Sequence, residues 1–101
     1  ALAAGTIGCV ATDHAPHATT DKLCEFDEAA PGISGLETAL GLVLQLVHDG
    51  ALSLPRAVDA MTAAPVRALE LQRWVPGLGS LAPGAPGDAV LFENDLPDNY
   101  A

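Results

Sequence analysis

The chain has 101 residues, enough for one domain at most. Apolar residues make up 50% of the chain and aromatic residues only 4% of it, so any core is small and aliphatic. A formal net charge of −9, with four Lys and Arg against 13 Asp and Glu, argues against nucleic acid or an anionic membrane as a partner. No apolar run approaches the roughly 20 residues of a membrane span, and we expect a soluble, cytoplasmic protein.

The first predicted element is a buried β-strand over residues 5–13, GTIGCVATD, because this β-rich run is followed by polar residues. Alternation of side chains along a strand places Asp13 at its C-terminal end, on the same face as Ile7 and Cys9. In α/β proteins, active sites form at the C-terminal ends of parallel strands. Asp13 is therefore the first candidate for a catalytic residue.

Residues 14–34 show neither a helical nor an alternating period, which predicts an acidic loop of about twenty residues. A loop of this length inside a compact domain is usually either functional or disordered.

A strong helix is predicted from Ser34 to Gly50. Ser34 and Glu37 have the spacing of a capping box, and Gly50 supplies a stop. The helix is apolar nearly all round, so we expect it to be buried on more than one side. Its apolar residues are Leu36, Leu40, Leu42, Val43, Leu44, Leu46 and Val47.

Two shorter helices are predicted next. One begins at Ser53, has Pro55 in its first turn and ends before Pro65; the other runs from Pro65 to about Leu71. The composition then changes near residues 75–79, and two Pro-Gly turns with a short strand over residues 89–92 indicate β structure.

Asp13, His14 and His17 lie close together in the string ATDHAPH and could serve in several ways. Carboxylate and imidazole are zinc ligands, but a catalytic zinc needs three protein ligands, and Asp13 and His14 point apart if the strand continues. A Cys₂His₂ zinc site formed with Cys9 and Cys24 would have unusual spacing. A Ser-His-Asp triad lacks the expected G-x-S-x-G elbow. Spacing alone favours a turn with two solvated histidines.

The longer strings ATDHAPH, CEFDEAAPGISGLETAL, LSLPRAVDAMTAAPVRALEL and GSLAPGAPGDAVLFE together resemble the C-terminal quarter of bacterial class I dihydroorotases, in the amidohydrolase superfamily. This resemblance implies an α/β fold: the last strand and helices of a (β/α)₈ barrel in residues 1–75, and part of a small composite β domain in residues 76–101. It also implies a zinc-dependent enzyme that interconverts N-carbamoyl-L-aspartate and (S)-dihydroorotate in pyrimidine biosynthesis.

The resemblance also assigns roles to residues. Asp13 would bind zinc and act as general base and acid, His17 would contact the substrate carboxylate, and Pro31 and Gly32 would close over the pyrimidine ring. His14 would be a structural neighbour. The remaining metal ligands of the family have no counterpart here, and the chain opens Ala-Leu-Ala-Ala, so we expect a fragment of a longer protein that is inactive alone.

Two other functions stay open. One is an allantoinase or dihydropyrimidinase-like hydrolase, against which His17 argues, since the matching segment of those enzymes usually lacks that second histidine. The other is a non-catalytic homologue that serves as a scaffold for aspartate transcarbamoylase. The expected partners are thus a small-molecule substrate, a second copy of the chain in a homo-oligomer, or a transcarbamoylase.

Overall fold

A computed structural model describes residues 1–93, and the regular elements of this part of the chain are helical. The α-helices are α1 (Thr19–Lys22), α2 (Leu36–His48), α3 (Leu54–Met61) and α4 (Ala63–Ala68), followed by a single 3₁₀ turn, Leu71–Arg73. Helices α2, α3 and α4 pack in sequence, α2 on α3 and α3 on α4. Among these described helices, none has the length and apolar character needed to cross a bilayer.

Helix α2 matches its prediction in extent but begins in a different way. Its N-cap is Gly35, and neither Ser34 nor Glu37 forms the predicted capping box. The N-terminal N–H groups are bound instead by His14, from the preceding loop. The predicted stop is confirmed, since Gly50 adopts a φ of 71°, a left-handed conformation that glycine takes without a steric penalty.

The boundary between helices α3 and α4 lies at Thr62, about one turn before the predicted boundary at Pro65. Pro65 has no N–H to bond to the carbonyl of Met61, so a continuous helix would lose a bond there. Helix α3 ends before Thr62, whose hydroxyl donates to the carbonyl oxygen of Val58 over 2.7 Å. Helix α4 then begins at Ala63. The predicted helix from Pro65 to Leu71 is therefore α4 plus the 3₁₀ turn.

The two predicted strands are absent from residues 1–93: residues 5–13 and 89–92 are irregular. A strand is stable only when its N–H and C=O groups pair with a neighbouring strand, and this part of the chain supplies no partner. The predicted strands are therefore not formed within residues 1–93. The predicted barrel and small β domain are not seen in it, and the second predicted domain, residues 76–101, extends past the described part of the chain.

The N-terminal segment is bound to α3 through Arg56. Its guanidinium donates to the carbonyl oxygens of Leu2 (3.1 Å), Ile7 (2.9 Å) and Gly8 (2.8 Å). The N–H of Val10 also donates to the carbonyl oxygen of Ala60, over 3.0 Å. Carbonyl groups that would belong to a strand ladder are thus satisfied by a helix side chain.

The core is small, as the composition predicts. Val43, Leu52 and Ala57 form its centre, with Val10 and Met61 among the partly buried residues against it. Many large apolar side chains of the described residues are instead exposed, among them Phe26 (98%), Leu42 (66%) and Trp74 (82%). The helix predicted to need burial on several sides is therefore covered on one side only, through Val43 and Leu44.

Candidate functional site

Two short segments at the two ends of the long acidic loop lie side by side. We call residues 12–17 and 31–36 the paired segments. The N–H of Ala15 donates to the carbonyl oxygen of Ile33 over 2.9 Å, which fixes the middle of the pair. All four candidate site residues, Asp13, His17, Pro31 and Gly32, belong to these segments. The structure thus brings together two stretches that the sequence separates by more than a dozen residues.

His14 joins the paired segments to helix α2. Its Nδ1 accepts hydrogen bonds from the backbone N–H of Gly35 (2.9 Å) and of Leu36 (3.2 Å). These are two of the N–H groups that the first turn of a helix leaves without an intrahelical partner. An Nδ1 that accepts cannot carry a proton, so the neutral ring bears its proton on Nε2.

Two glycines, Gly32 and Gly35, allow the paired segments to approach each other closely. A Cβ on Gly32, whose φ is 115°, would lie 2.8 Å from both the Cβ and the carbonyl oxygen of Ala15. A Cβ on Gly35 would lie 3.2 Å from the carbonyl oxygen of Thr12. Larger residues at these positions would force the paired segments apart, so the sequence PGISG is matched to this packing.

At one end of the paired segments, His17 meets the Pro31-Gly32 segment. Its Nε2 lies 2.7 Å from the carbonyl oxygen of Pro31, and its ring is exposed. Lys22, at the end of α1, donates through Nζ to the carbonyl oxygens of Ala30 and Gly32. The side chains of His17 and Lys22 therefore bind three successive peptide groups and orient residues 30–32. The same two side chains could also attract an anion.

Asp13 lies at the other end, exposed to solvent, with a φ of 48°. Positive φ is uncommon for a residue other than glycine, although Asp and Asn adopt it more often than most. Such conformations cost about 1–3 kcal/mol and persist where the surroundings enforce them. In place of the predicted strand end, Asp13 thus has a left-handed backbone conformation, and its exposed carboxylate remains open to a ligand.

The described residues do not form a zinc site by themselves. Within residues 1–93 there is no group of three or more His, Cys, Asp or Glu side chains that could hold a metal ion. The Cys₂His₂ alternative therefore fails, and Cys9 and Cys24 are free thiols. Asp13 can offer one carboxylate, a ligand that zinc accepts, but two or more ligands would have to come from elsewhere.

Sequence reasoning missed two basic residues. Lys22 is given no role from the sequence, yet it binds the segment that the resemblance assigns to the substrate; a lone lysine in an acidic loop is the signal that could have found it. Arg56 was not singled out, although it also bonds to Asp59, which in turn bonds to Arg67.

An apolar groove lies apart from the paired segments. It is bordered by α2, α3 and the stretch from Leu78 to Phe92, and it includes none of the four candidate site residues. Its walls are mostly aliphatic, so it lacks the polar groups that fix a small polar substrate. The candidate site is therefore the paired segments.

Comparison with known proteins agrees with the motifs in the paired segments. The chain is 47% identical over 100 residues to a dihydroorotase of Solibacter usitatus, covering 98% of this chain and 22% of that one. It is 51% identical over 88 residues to a dihydroorotase of Syntrophus aciditrophicus, covering 87% of this chain and 20% of that one. The chain belongs to the dihydroorotase family. No protein-family model matches it.

A third relative extends the same result. A dihydroorotase of Anaeromyxobacter sp. strain K is 48% identical over 92 residues, which are 91% of this chain and 20% of that one. The chain thus spans about a fifth of the length of the curated relatives it matches. The resemblance seen in the sequence motifs is confirmed at the level of the family.

Proposed function

We propose that this chain is part of a zinc-dependent dihydroorotase that interconverts N-carbamoyl-L-aspartate and (S)-dihydroorotate in cytoplasmic pyrimidine biosynthesis. The observation that carries this proposal is the 47–51% identity to relatives named dihydroorotase, over nearly the whole chain. The arrangement of the paired segments supports it, because an open carboxylate and an exposed imidazole lie on one short stretch.

Asp13 is the proposed general base and acid. Ring opening of a cyclic amide needs a proton removed from the attacking water and a proton delivered to the leaving ring nitrogen, and one carboxylate can do both in turn. Asp13 is exposed and has a left-handed backbone conformation, so its carboxylate can reach a bound substrate. It is also the one zinc ligand that we assign to this chain; zinc would supply an activated water.

His17 is the proposed contact for the substrate carboxylate. Its Nε2 is occupied by the Pro31 carbonyl, so Nδ1 is the atom left to meet a ligand. A ring that donates from both nitrogens must be an imidazolium, because the neutral ring has one N–H. The bound carboxylate would favour that charged form, and a charge-assisted hydrogen bond would hold it. Pro31 and Gly32 would then lie next to the substrate ring.

The remaining four-fifths of the protein would complete the fold. We propose that residues 1–75 form the last part of a (β/α)₈ barrel and that residues 76–101 join a small β domain. The exposed apolar side chains support this, since a helix as apolar as α2 needs cover on faces that carry Leu42 and Leu46. The chain alone is then expected to be inactive, because the other zinc ligands lie outside it.

A chimera tests the proposal. In it, this chain replaces the matching segment of the Solibacter usitatus relative, and hydrolysis of dihydroorotate, allantoin and dihydrouracil is measured. Turnover of dihydroorotate, with little of the other two substrates, is expected. Preference for a ring without a carboxylate would favour the allantoinase or dihydropyrimidinase alternative. A folded, inactive chimera that binds aspartate transcarbamoylase would favour the scaffold alternative and refute the proposal.

A further inference from the structure

Helix α2 has an unusual N-terminus, and that N-terminus is bound to the residue next to Asp13. The cap position is occupied by Gly35, which has no side chain to accept from the helix. Ser34, although well placed in sequence, makes no capping bond. The acceptor comes from 21 residues earlier, where His14 Nδ1 receives the N–H groups of both Gly35 and Leu36. A Ser, Thr, Asp or Asn at the N-cap usually accepts from the N–H of N2 or N3, whereas His14 accepts from the cap residue and N1.

The contact also constrains Asp13. His14 is half-buried between the two segments, and Thr12 approaches Gly35 so closely that a Cβ there would lie 3.2 Å from the Thr12 carbonyl oxygen. Asp13 therefore lies between two residues that are both in contact with the start of α2. Its left-handed φ of 48° is a strained conformation that needs such support.

The position of α2 is itself defined by the core. Val43 and Leu44, in the middle of the helix, are buried, and Val43 packs with Leu52 and Ala57. A continuous series of contacts therefore runs from the core through α2 and His14 to the backbone next to Asp13. In the absence of this connection, an exposed loop residue would sample several positions.

We propose that His14 is a positioning residue: by accepting two N–H groups of α2 at Nδ1, it fixes the Asp13 carboxylate for catalysis. The inference rests on the proposed function of Asp13 and deepens it. His14 touches no reacting atom. A displacement of about 1 Å in a catalytic group can cost about 10²-fold in rate, so loss of this contact should lower kcat rather than raise KM.

Side chains with an acceptor at different depths test the proposal in the chimera. In His14→Asn the amide oxygen can occupy the place of Nδ1, whereas in His14→Gln the amide lies one bond farther out, near Nε2. We expect His14→Asn to keep kcat within about threefold, and His14→Gln and His14→Ala to lose roughly 10- to 100-fold with KM nearly unchanged. Thermal denaturation shows whether each variant is folded at the assay temperature.

Nitrogen NMR of histidine-labelled chimera gives a second readout that does not depend on turnover. The expected signal is a neutral ring with an unprotonated Nδ1, identified by its loss in the His14→Ala spectrum. An Nδ1-protonated ring, or equal kcat in folded Asn, Gln and Ala variants of an active chimera, would overturn the role of His14. An inactive parent chimera would instead refute the proposed function, and the positioning role would fall with it.

Discussion

Replacing Gly32 with alanine measures how tightly the paired segments are packed. Gly32 has a φ of 115°, and an added Cβ would lie 2.8 Å from two atoms of Ala15 and 3.3 Å from Nε2 of His17. The substitution therefore combines a strained backbone with a steric collision. Both effects push residues 31–36 away from residues 12–17, and the bond from His17 to the Pro31 carbonyl would lengthen.

Gly84 provides the matched control. Its φ is 87°, so alanine there is also strained, but an added Cβ has nothing within 4 Å. A left-handed non-glycine residue costs roughly 1–2 kcal/mol, and overpacking typically adds about 1–3 kcal/mol. We expect Gly84→Ala to lower the free energy of unfolding by about 1–2 kcal/mol and Gly32→Ala to lower it by about 2–5 kcal/mol.

The assay is denaturant unfolding of the chimera, followed by kcat/KM for dihydroorotate on the folded variants. Gly32→Ala should raise KM, because the proposed substrate segment is displaced, while Gly84→Ala should leave KM unchanged. Equal losses of stability in the two variants, with the same KM, would refute the close packing of the paired segments.

Three further substitutions test basic side chains. His17→Ala in the chimera should lower kcat/KM for dihydroorotate roughly 10- to 100-fold, which corresponds to one lost hydrogen bond to a charged group. Any turnover of dihydrouracil should stay unchanged, and equal losses on both substrates would contradict the role of His17. Lys22→Met should lower kcat/KM for dihydroorotate about tenfold by freeing two carbonyls. Arg73→Met, which removes an exposed basic side chain that forms a salt bridge with Glu70, should have no effect, and similar behaviour of the two variants would reject the Lys22 contacts. In the 101-residue chain, Arg56→Met should speed hydrogen exchange at the Val10 amide roughly 30-fold by releasing the N-terminal segment, and unchanged exchange would contradict that attachment.

The helices were predictable from sequence because their signals are local. The apolar period, Pro55 in a first turn and Gly50 at a C-terminus all act within a few residues, and each appears in the structure. The strands were not predictable in the same way, because a strand depends on hydrogen bonds to segments that are distant in sequence. Residues 5–13 have a strand-like composition but bond to Arg56 and Ala60 instead.

The candidate residues Asp13 and His17 could be chosen from a sequence motif, and their roles stay predictions, whereas contacts between distant segments could not be predicted. Asp13 and His17 stand out because few residue types can do acid-base chemistry or bind a carboxylate. The capping role of His14 could not be found, since Ser34 and Glu37 offered a stronger local signal and the actual contact joins residues 21 positions apart. Lys22 stands out as a lysine in an acidic loop, but its acceptors are backbone carbonyls, which the sequence does not identify.

The most direct test of the central claim is the turnover number of the chimera with Asp13 replaced by asparagine. Asparagine preserves the size of the side chain but cannot accept a proton from water, so kcat for dihydroorotate should fall about 10²- to 10⁴-fold while the protein stays folded. Substrate binding through His17 should persist. A folded Asp13→Asn chimera that turns over dihydroorotate at nearly the parent rate would show that Asp13 is not the catalytic base and would contradict the account.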